Sequence, residues 1–282
     1  MPRFAYVNGR YVHHPHATVH IEDRGYQFAD GVYEVVPVHG GKMIDEDPHL
    51  DRLEHSLREL RIGLPTSRTA LKMILRELLR RNGVVNGLLY IQITRGVAPR
   101  DHKFPQGAKP ALVVTTKRTK PTATALVENG VRVITIPDIR WKRCDIKSVS
   151  LLPNVLGKQR AVEAGAFEAW QVDEKGLVTE GTSTNAWIVT KDGVLVTRNA
   201  NEAILNGITR QAVIRLTNEA GVTFEERPFS VAEAKEAREA FLTSSSGHVL
   251  PITRIDDTVV GDGKPGPVTR RLRAAYLDYI AA

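Results

Sequence analysis

Cysteine occurs once in the 282 residues, at Cys144, so no internal disulfide framework can form and the chain suits a reducing compartment. Long apolar runs are also missing. None approaches the roughly 20 residues of a bilayer-spanning helix, so no helical membrane anchor is expected. The opening stretch Met1-Pro2-Arg3-Phe4-Ala5-Tyr6 lacks the apolar core of a secretory signal, and the expected compartment is the cytoplasm. Acids are fewer than bases, 32 against 39, which leaves a net charge of +7 and raises the question of a nucleic-acid partner. The bases are scattered among acids, as in Arg58-Glu59-Leu60-Arg61 and Lys235-Glu236-Ala237-Arg238-Glu239, and form no stripe. The densest patch, Arg270-Arg271-Leu272-Arg273, falls on a helical pattern and reads as its solvated face. Neither a nucleic acid nor a membrane is expected as partner. Anionic small substrates fit the charge at least as well.

Hydrophobic residues make up 42%, enough for real cores, and the length allows two compact domains. Strand and helix patterns alternate without repeats, an α+β (α/β) arrangement. Phe4 to Val12 reads as a hairpin around Asn8-Gly9. Val32 to Val38 is a strand turned at Gly40-Gly41. Pro48 to Leu60 is an amphipathic helix, with Leu50, Leu53, Leu57 and Leu60 at helical spacing. Ser67 to Arg81 is a second helix, closed by Asn82-Gly83. Leu88 to Thr94 and Ala111 to Thr116 are apolar enough for central strands. The polar, proline-bearing run from Lys117 to Thr124 marks a boundary, giving domains 1–117 and 125–282 with 118–124 as linker. Beyond it, strands are expected at 131–136, 169–172, 186–189, 194–197, 240–243 and 249–255. Helices are expected at 154–164, 208–220 (Val213, Ile214 and Leu216 inward), 231–240 and 268–282.

Two short stretches carry chemistry. Arg143-Cys144-Asp145-Ile146-Lys147-Ser148 ends one apolar segment in a lysine, and Val178-Thr179-Glu180-Gly181 ends another in a glutamate. A lysine amine can form a Schiff base with a carbonyl cofactor, and a carboxylate can keep that cofactor's ring nitrogen protonated. Pyridoxal phosphate chemistry needs both groups. Asn206-Gly207-Ile208-Thr209-Arg210 opens a helix whose first amides and positive dipole end suit a phosphate, although plain capping explains the same residues. Thr243-Ser244-Ser245-Ser246-Gly247 is a second hydroxyl cluster at a strand end. Neither has the spacing of a nucleotide-binding P-loop. Cys144, three residues before Lys147, reads as a packed thiol.

With these stretches in hand, the chain resembles the fold-type IV pyridoxal-phosphate aminotransferases, and within them the D-amino acid aminotransferase branch. The similarity runs nearly end to end. It rests on Phe28-Ala29-Asp30-Gly31-Val32-Tyr33-Glu34-Val35, on His49-Leu50-Asp51-Arg52-Leu53, on the run from Thr94 to His102, on Asp145-Ile146-Lys147-Ser148, on Glu180 to Asn185, and on Gly207-Ile208-Thr209-Arg210. The resemblance implies a two-domain fold with pyridoxal 5'-phosphate in the cleft between domains and Lys147, in the C-terminal domain, carrying the Schiff base. Lys147 would also move the substrate proton, and Glu180 would bind the ring nitrogen. Arg52, Gly207, Ile208, Thr209 and Ser245 would hold the phosphate. Leu205 would pack on the ring, and Ser183, Thr184 and Asn185 would line its other side.

In that branch Tyr33, Arg100 and His102 would bind the substrate α-carboxylate, with Arg100 and His102 reaching the active site of the neighbouring subunit of a homodimer. Arginine offers a planar fork for a carboxylate, and histidine and tyrosine add donors. The implied reaction carries the amino group of D-alanine to 2-oxoglutarate, giving pyruvate and D-glutamate. Branched-chain aminotransferases and aminodeoxychorismate lyases share the lysine, glutamate and phosphate clamps but generally lack the Arg-x-His pair; (R)-amine transaminases are a further related reading. They stay open as alternatives, as does a non-enzymatic basic binding protein. Hydroxyl swaps at Thr182, Thr184 and Ser245 keep the family's donors, while Pro153 departs from its usual small residue.

Overall fold

The structure, a computed structural model, describes residues 3–219 and 221–282. Met1, Pro2 and Ala220, on which the expected leader reading and the end of one expected helix partly fall, lie outside the described residues. The chain divides into two compact units, Met1–Lys120 with Ile146–Ser150, and Pro121–Asp145 with Leu151–Ala282. Among the described residues no helix is long and apolar enough to cross a membrane.

The first unit is an antiparallel sheet with helices on it. Its strands are β1 (Phe4–Val7), β2 (Arg10–His13), β3 (Gly31–His39), β4 (Lys42–Met43), β5 (Gly87–Thr94) and β6 (Ala111–Arg118), in the spatial order β2-β1-β6-β5-β3-β4. Its helices are α1 (Arg24–Phe28), α2 (Glu46–Glu59) and α3 (Arg68–Asn82). Asn8 (φ 44°) and Gly9 (φ 93°) take the left-handed backbone that a two-residue hairpin turn demands, which is why Asn-Gly sits there. On β5, Leu89, Ile91 and Ile93 point into the core, as the two-residue period requires. They meet Leu50, Leu53 and Leu57 of α2 and Leu71, Leu75 and Leu78 of α3. Ser67 caps α3 by accepting from the Ala70 amide at 3.2 Å.

The second unit holds β7 (Val131–Pro137), β8 (Glu168–Val172), β9 (Val178–Gly181), β10 (Asn185–Val189), β11 (Leu195–Thr197), β12 (Phe224–Glu226), β13 (Glu239–Ser244), β14 (His248–Ile255) and β15 (Thr258–Val259). Their order is β12-β11-β10-β13-β14-β7-β8-β9, with β15 on β14. β7 runs parallel to both β8 and β14. The helices are α4 (Thr124–Asn129), α5 (Leu152–Glu163), α6 (Ile208–Glu219), α7 (Val231–Glu236) and α8 (Pro267–Ala281).

Several expectations change. β9, which carries Glu180, had no pattern of its own because Thr179, Glu180 and Gly181 are polar or small, yet all four of its residues are buried. α6 buries Thr209, Arg210, Val213 and Thr217, while Ile214 and Leu216 are half-buried. α7 stops at Glu236, so Ala240 belongs to β13 alone. Arg273 is not on a solvated face: it is half-buried and donates to the Val249 carbonyl.

Candidate active site

Lys147 stands on a short extended segment of the first unit, beside the start of β3. The Tyr33 amide donates to the Lys147 carbonyl (2.9 Å), the Val149 amide donates to the Gly31 carbonyl (3.1 Å), and the Lys147 amide donates to Ser56 Oγ (3.1 Å). Ile146 is buried in the core of that unit and anchors the segment. The family resemblance implies a place for Lys147 in the C-terminal domain; backbone pairing to β3 and burial of Ile146 put it with the N-terminal unit instead. Fixed in this way, the Lys147 amine lies 4.2 Å from the centroid of the Tyr33 ring, and Tyr33 stacks on Tyr90. Burial, then the neighbouring Tyr33, pushes the Tyr90 phenol up to about 12, so at neutral pH it stays protonated and donates to Gln92 (2.7 Å).

Arg52, on α2, is held by Glu34, the residue after Tyr33. Nε and Nη2 donate to the two carboxylate oxygens at 3.0 and 2.7 Å. His49 Nδ1 lies 3.0 Å from Glu34 Oε1. Burial alone would raise the Glu34 carboxyl, but the Arg52 charge and the His49 hydrogen bond hold it well below the usual carboxylate range. Burial pushes the His49 imidazole down, so it is neutral at pH 7; facing a carboxylate that only accepts, its Nδ1 carries the proton. Glu34 and His49 thus aim Arg52, a role that sequence reasoning missed although both residues lie in the segments it singled out.

Arg100 and His102 are exposed and gather on Phe28. The Arg100 guanidinium is 4.8 Å from the Phe28 centroid, and the His102 and Phe28 rings are 5.4 Å apart. Arg24 fixes this loop from beneath by donating to the carbonyls of Asp101 (2.5 Å) and His102 (3.4 Å). Arg24 itself is tied to Asp30, which Arg95 also grips with two nitrogens at 2.7 and 2.9 Å. Nothing in the spacing of Arg24, Asp30 and Arg95 announces this brace.

In the second unit Glu180 sits at the end of β9. Its Oε1 receives Arg140 Nη1 (2.5 Å), its Oε2 receives Asn185 Nδ2 (3.0 Å), and the Leu205 amide donates to it at 3.1 Å. Asn185 Nδ2 also donates to the Leu205 carbonyl (2.9 Å), so Glu180, Asn185 and Leu205 form one cluster. A Cβ on Gly207 would lie 2.2 Å from Asn185 Oδ1; glycine is required because the chain passes against that amide.

Ile208 and Thr209, both buried, open α6, where the first-turn amides have no intrahelical acceptor. Ser245 lies half-buried in the turn between β13 and β14, while Thr243 is taken by the Trp187 indole (3.0 Å). Arg210, quoted in the same motif, is structural: it donates to the Arg198 carbonyl and to Glu226. The hydroxyls of Thr182, Ser183 and Thr184 converge on the fully buried carboxylate of Glu168. Cys144 donates to the Trp141 carbonyl, and burial pushes its thiol up to about 12, so it is no thiolate at neutral pH.

Residues 31–255 match the family described as Amino-transferase class IV. The chain belongs to this family. Over 274 residues it is 45% identical to a D-alanine aminotransferase of Bacillus licheniformis, covering 97% of this chain and 95% of that protein. It is 41% identical over 276 residues to a D-alanine aminotransferase of Staphylococcus haemolyticus, covering 98% and 97%. The crystal structure of a T.th. branched-chain amino acid aminotransferase with pyridoxamine 5'-phosphate superposes with a TM-score of 0.92 at 25% identity, over 99% of this chain and 94% of that one. The lysine, the carboxylate cluster and the α6 start all fall inside the matched span.

Proposed function

We propose that this class IV aminotransferase uses pyridoxal 5'-phosphate to move the amino group of a D-amino acid, D-alanine foremost, to a 2-oxo acid such as 2-oxoglutarate, leaving pyruvate and D-glutamate. The observation that carries the reading is the Lys147 amine on the face of Tyr33 at 4.2 Å. A group suited to proton transfer then stands beside one suited to binding a substrate carboxylate. The two relatives named D-alanine aminotransferase support the choice of substrate. The reaction is assigned to the cytoplasm.

The donor set fits the cofactor. Glu180 would supply an acceptor for the ring N–H, while Arg52 in the first unit and, in the second, the first amides of α6, Thr209 and Ser245 would supply cationic and neutral donors for a phosphate dianion. When bound, the cofactor would supply a reactive carbonyl and an electron sink for the substrate Cα. Lys147 holds and moves the Cα proton. Glu34 and His49 keep Arg52 aimed, and Leu205 is held by Glu180 to pack on the ring. Gly207→Ala is expected to push Asn185 off Glu180 and weaken pyridoxal-phosphate binding by about tenfold, measured by equilibrium titration of the apoprotein.

Arg100 and His102 are assigned to the substrate carboxylate in the site of a second copy. Support comes from apolar side chains left exposed in the same unit, with Ile21 76%, Tyr26 77% and Phe104 52% exposed. Mixing tests this directly. Lys147→Ala and Arg100→Ala subunits, each impaired alone, regain activity on exchange if Arg100 acts across the dimer, because one site of the mixed dimer is then intact. No recovery, with exchange verified, removes the trans assignment.

The assay that tests the function compares D-alanine with L-leucine as amino donor and 2-oxoglutarate as acceptor. Pyruvate from D-alanine is expected. Turnover of L-leucine alone would move the protein to the branched-chain reaction. Arg100→Ala should raise KM for D-alanine by about tenfold to a hundredfold, the worth of a charge-assisted contact, with cofactor absorbance unchanged.

A further inference from the structure

Behind Glu180 stands a charged pair that the reaction as described does not use. Arg140 follows β7 and is almost fully buried. While its Nη1 reaches Glu180, its Nε (2.9 Å) and Nη2 (2.7 Å) fork onto the two oxygens of Asp138. Asp138 is fixed in turn by the Thr179 hydroxyl (2.7 Å), and Arg140 also donates to the Ala203 carbonyl (3.2 Å), two residues before Leu205. Burial alone would raise Asp138, yet the hydrogen bond and charge of Arg140 hold it below the usual range, and Arg140 is held charged by Glu180 and Asp138.

An arginine touching Glu180 creates a difficulty for that residue's assigned role. Glu180 and Arg140 together are neutral, and Arg140 on its own would repel a protonated ring nitrogen. Asp138 removes the difficulty: two carboxylates and one guanidinium leave a single net negative charge in a desolvated cluster. We propose that Asp138 and Arg140 are positioning residues that together fix the Glu180 carboxylate and set the charge it presents, so that the ring nitrogen of the cofactor stays protonated. This rests on the reading of Glu180 given above. Arg140 supplies the geometry by clamping Glu180 and the 203–205 turn. Asp138 supplies the compensating charge.

Charge reciprocity separates this from a bridge that only braces the unit. Asp138→Asn takes the cluster from −1 to 0. Arg140→Met takes it to −2. The double variant returns it to −1. The readout is the nitrogen NMR shift of ring-labelled ¹⁵N pyridoxal phosphate bound to each holoenzyme, with thermal unfolding followed in parallel.

Asp138→Asn should move the shift toward that of a deprotonated pyridine and lower kcat by about tenfold to a hundredfold with KM little changed. The double variant should return the shift toward wild type even if it is the less stable protein. An unmoved shift in Asp138→Asn, or a double variant no closer to wild type than the single, overturns the proposal. If Arg140→Met and the double do not fold, Asp138→Asn decides alone. Glu180→Gln serves as the reference: if it leaves the shift unmoved, the assignment of Glu180 itself fails. If it moves the shift and Asp138→Asn does not, only the present inference fails.

Discussion

Lys147→Ala is expected to abolish transamination while leaving the fold intact. The three hydrogen bonds that hold this segment use the backbone of Lys147 and Val149, and the apolar anchor is Ile146; an alanine keeps all of them. Only the amine over Tyr33 is lost. A positioned acid–base group contributes about 10²–10⁴-fold, and the lysine is also the proposed attachment point, so the rate should fall by about 10³-fold or more. Steady-state kinetics on a variant whose unfolding temperature matches wild type would check it. A tenth of the wild-type rate remaining would take the role away from Lys147.

Glu34→Ala is the largest expected loss of stability. Glu34 is fully buried, and its removal leaves the Arg52 guanidinium without the carboxylate that grips it and His49 without its acceptor. Breaking one side of a buried pair costs about 3–5 kcal/mol. Urea unfolding should show it, and weaker phosphate binding should accompany it because Arg52 is no longer aimed.

The same cluster gives a pH dependence. The folded carboxyl titrates below its ordinary value of 4.5, so the unfolded chain binds the proton first. The Glu34 contribution is therefore complete above about pH 4.5 and is lost as pH falls. His49 acts in the same sense, since burial pushes its imidazole below the ordinary 6.5. Wild type should lose stability on acidification below about pH 6.5, and Glu34→Ala should show a flatter profile below about pH 4.5. Parallel profiles would mean that the pair is not the source.

Much of the scaffold is readable because local rules agree with the tertiary result. Asn8-Gly9 can make a tight hairpin turn, the leucines of α2 repeat at helical spacing, and Ser67 is an ordinary cap. What the pattern could not give was β9, because its stretch from Thr179 to Gly181 is polar or small and is buried by partners rather than by apolar character. The place of Lys147 escapes for a related reason. Chain order puts it after the boundary near 120, but an extended segment pairs wherever its backbone groups find partners, and the Lys147 carbonyl and the Val149 amide find theirs on β3.

Sequence by itself determined the chemical types. A lysine, a glutamate, a phosphate-friendly helix start and an Arg-x-His pair stand in an order that points to the family. Tertiary structure alone decided what surrounds them. Glu34 and His49 aim Arg52, Arg24 braces the loop of Arg100 and His102, and Asp138 and Arg140 stand behind Glu180. The reason is physical: hydrogen bonds and ion pairs act over a few ångströms in space, and most of these partners are separated by tens of residues along the chain.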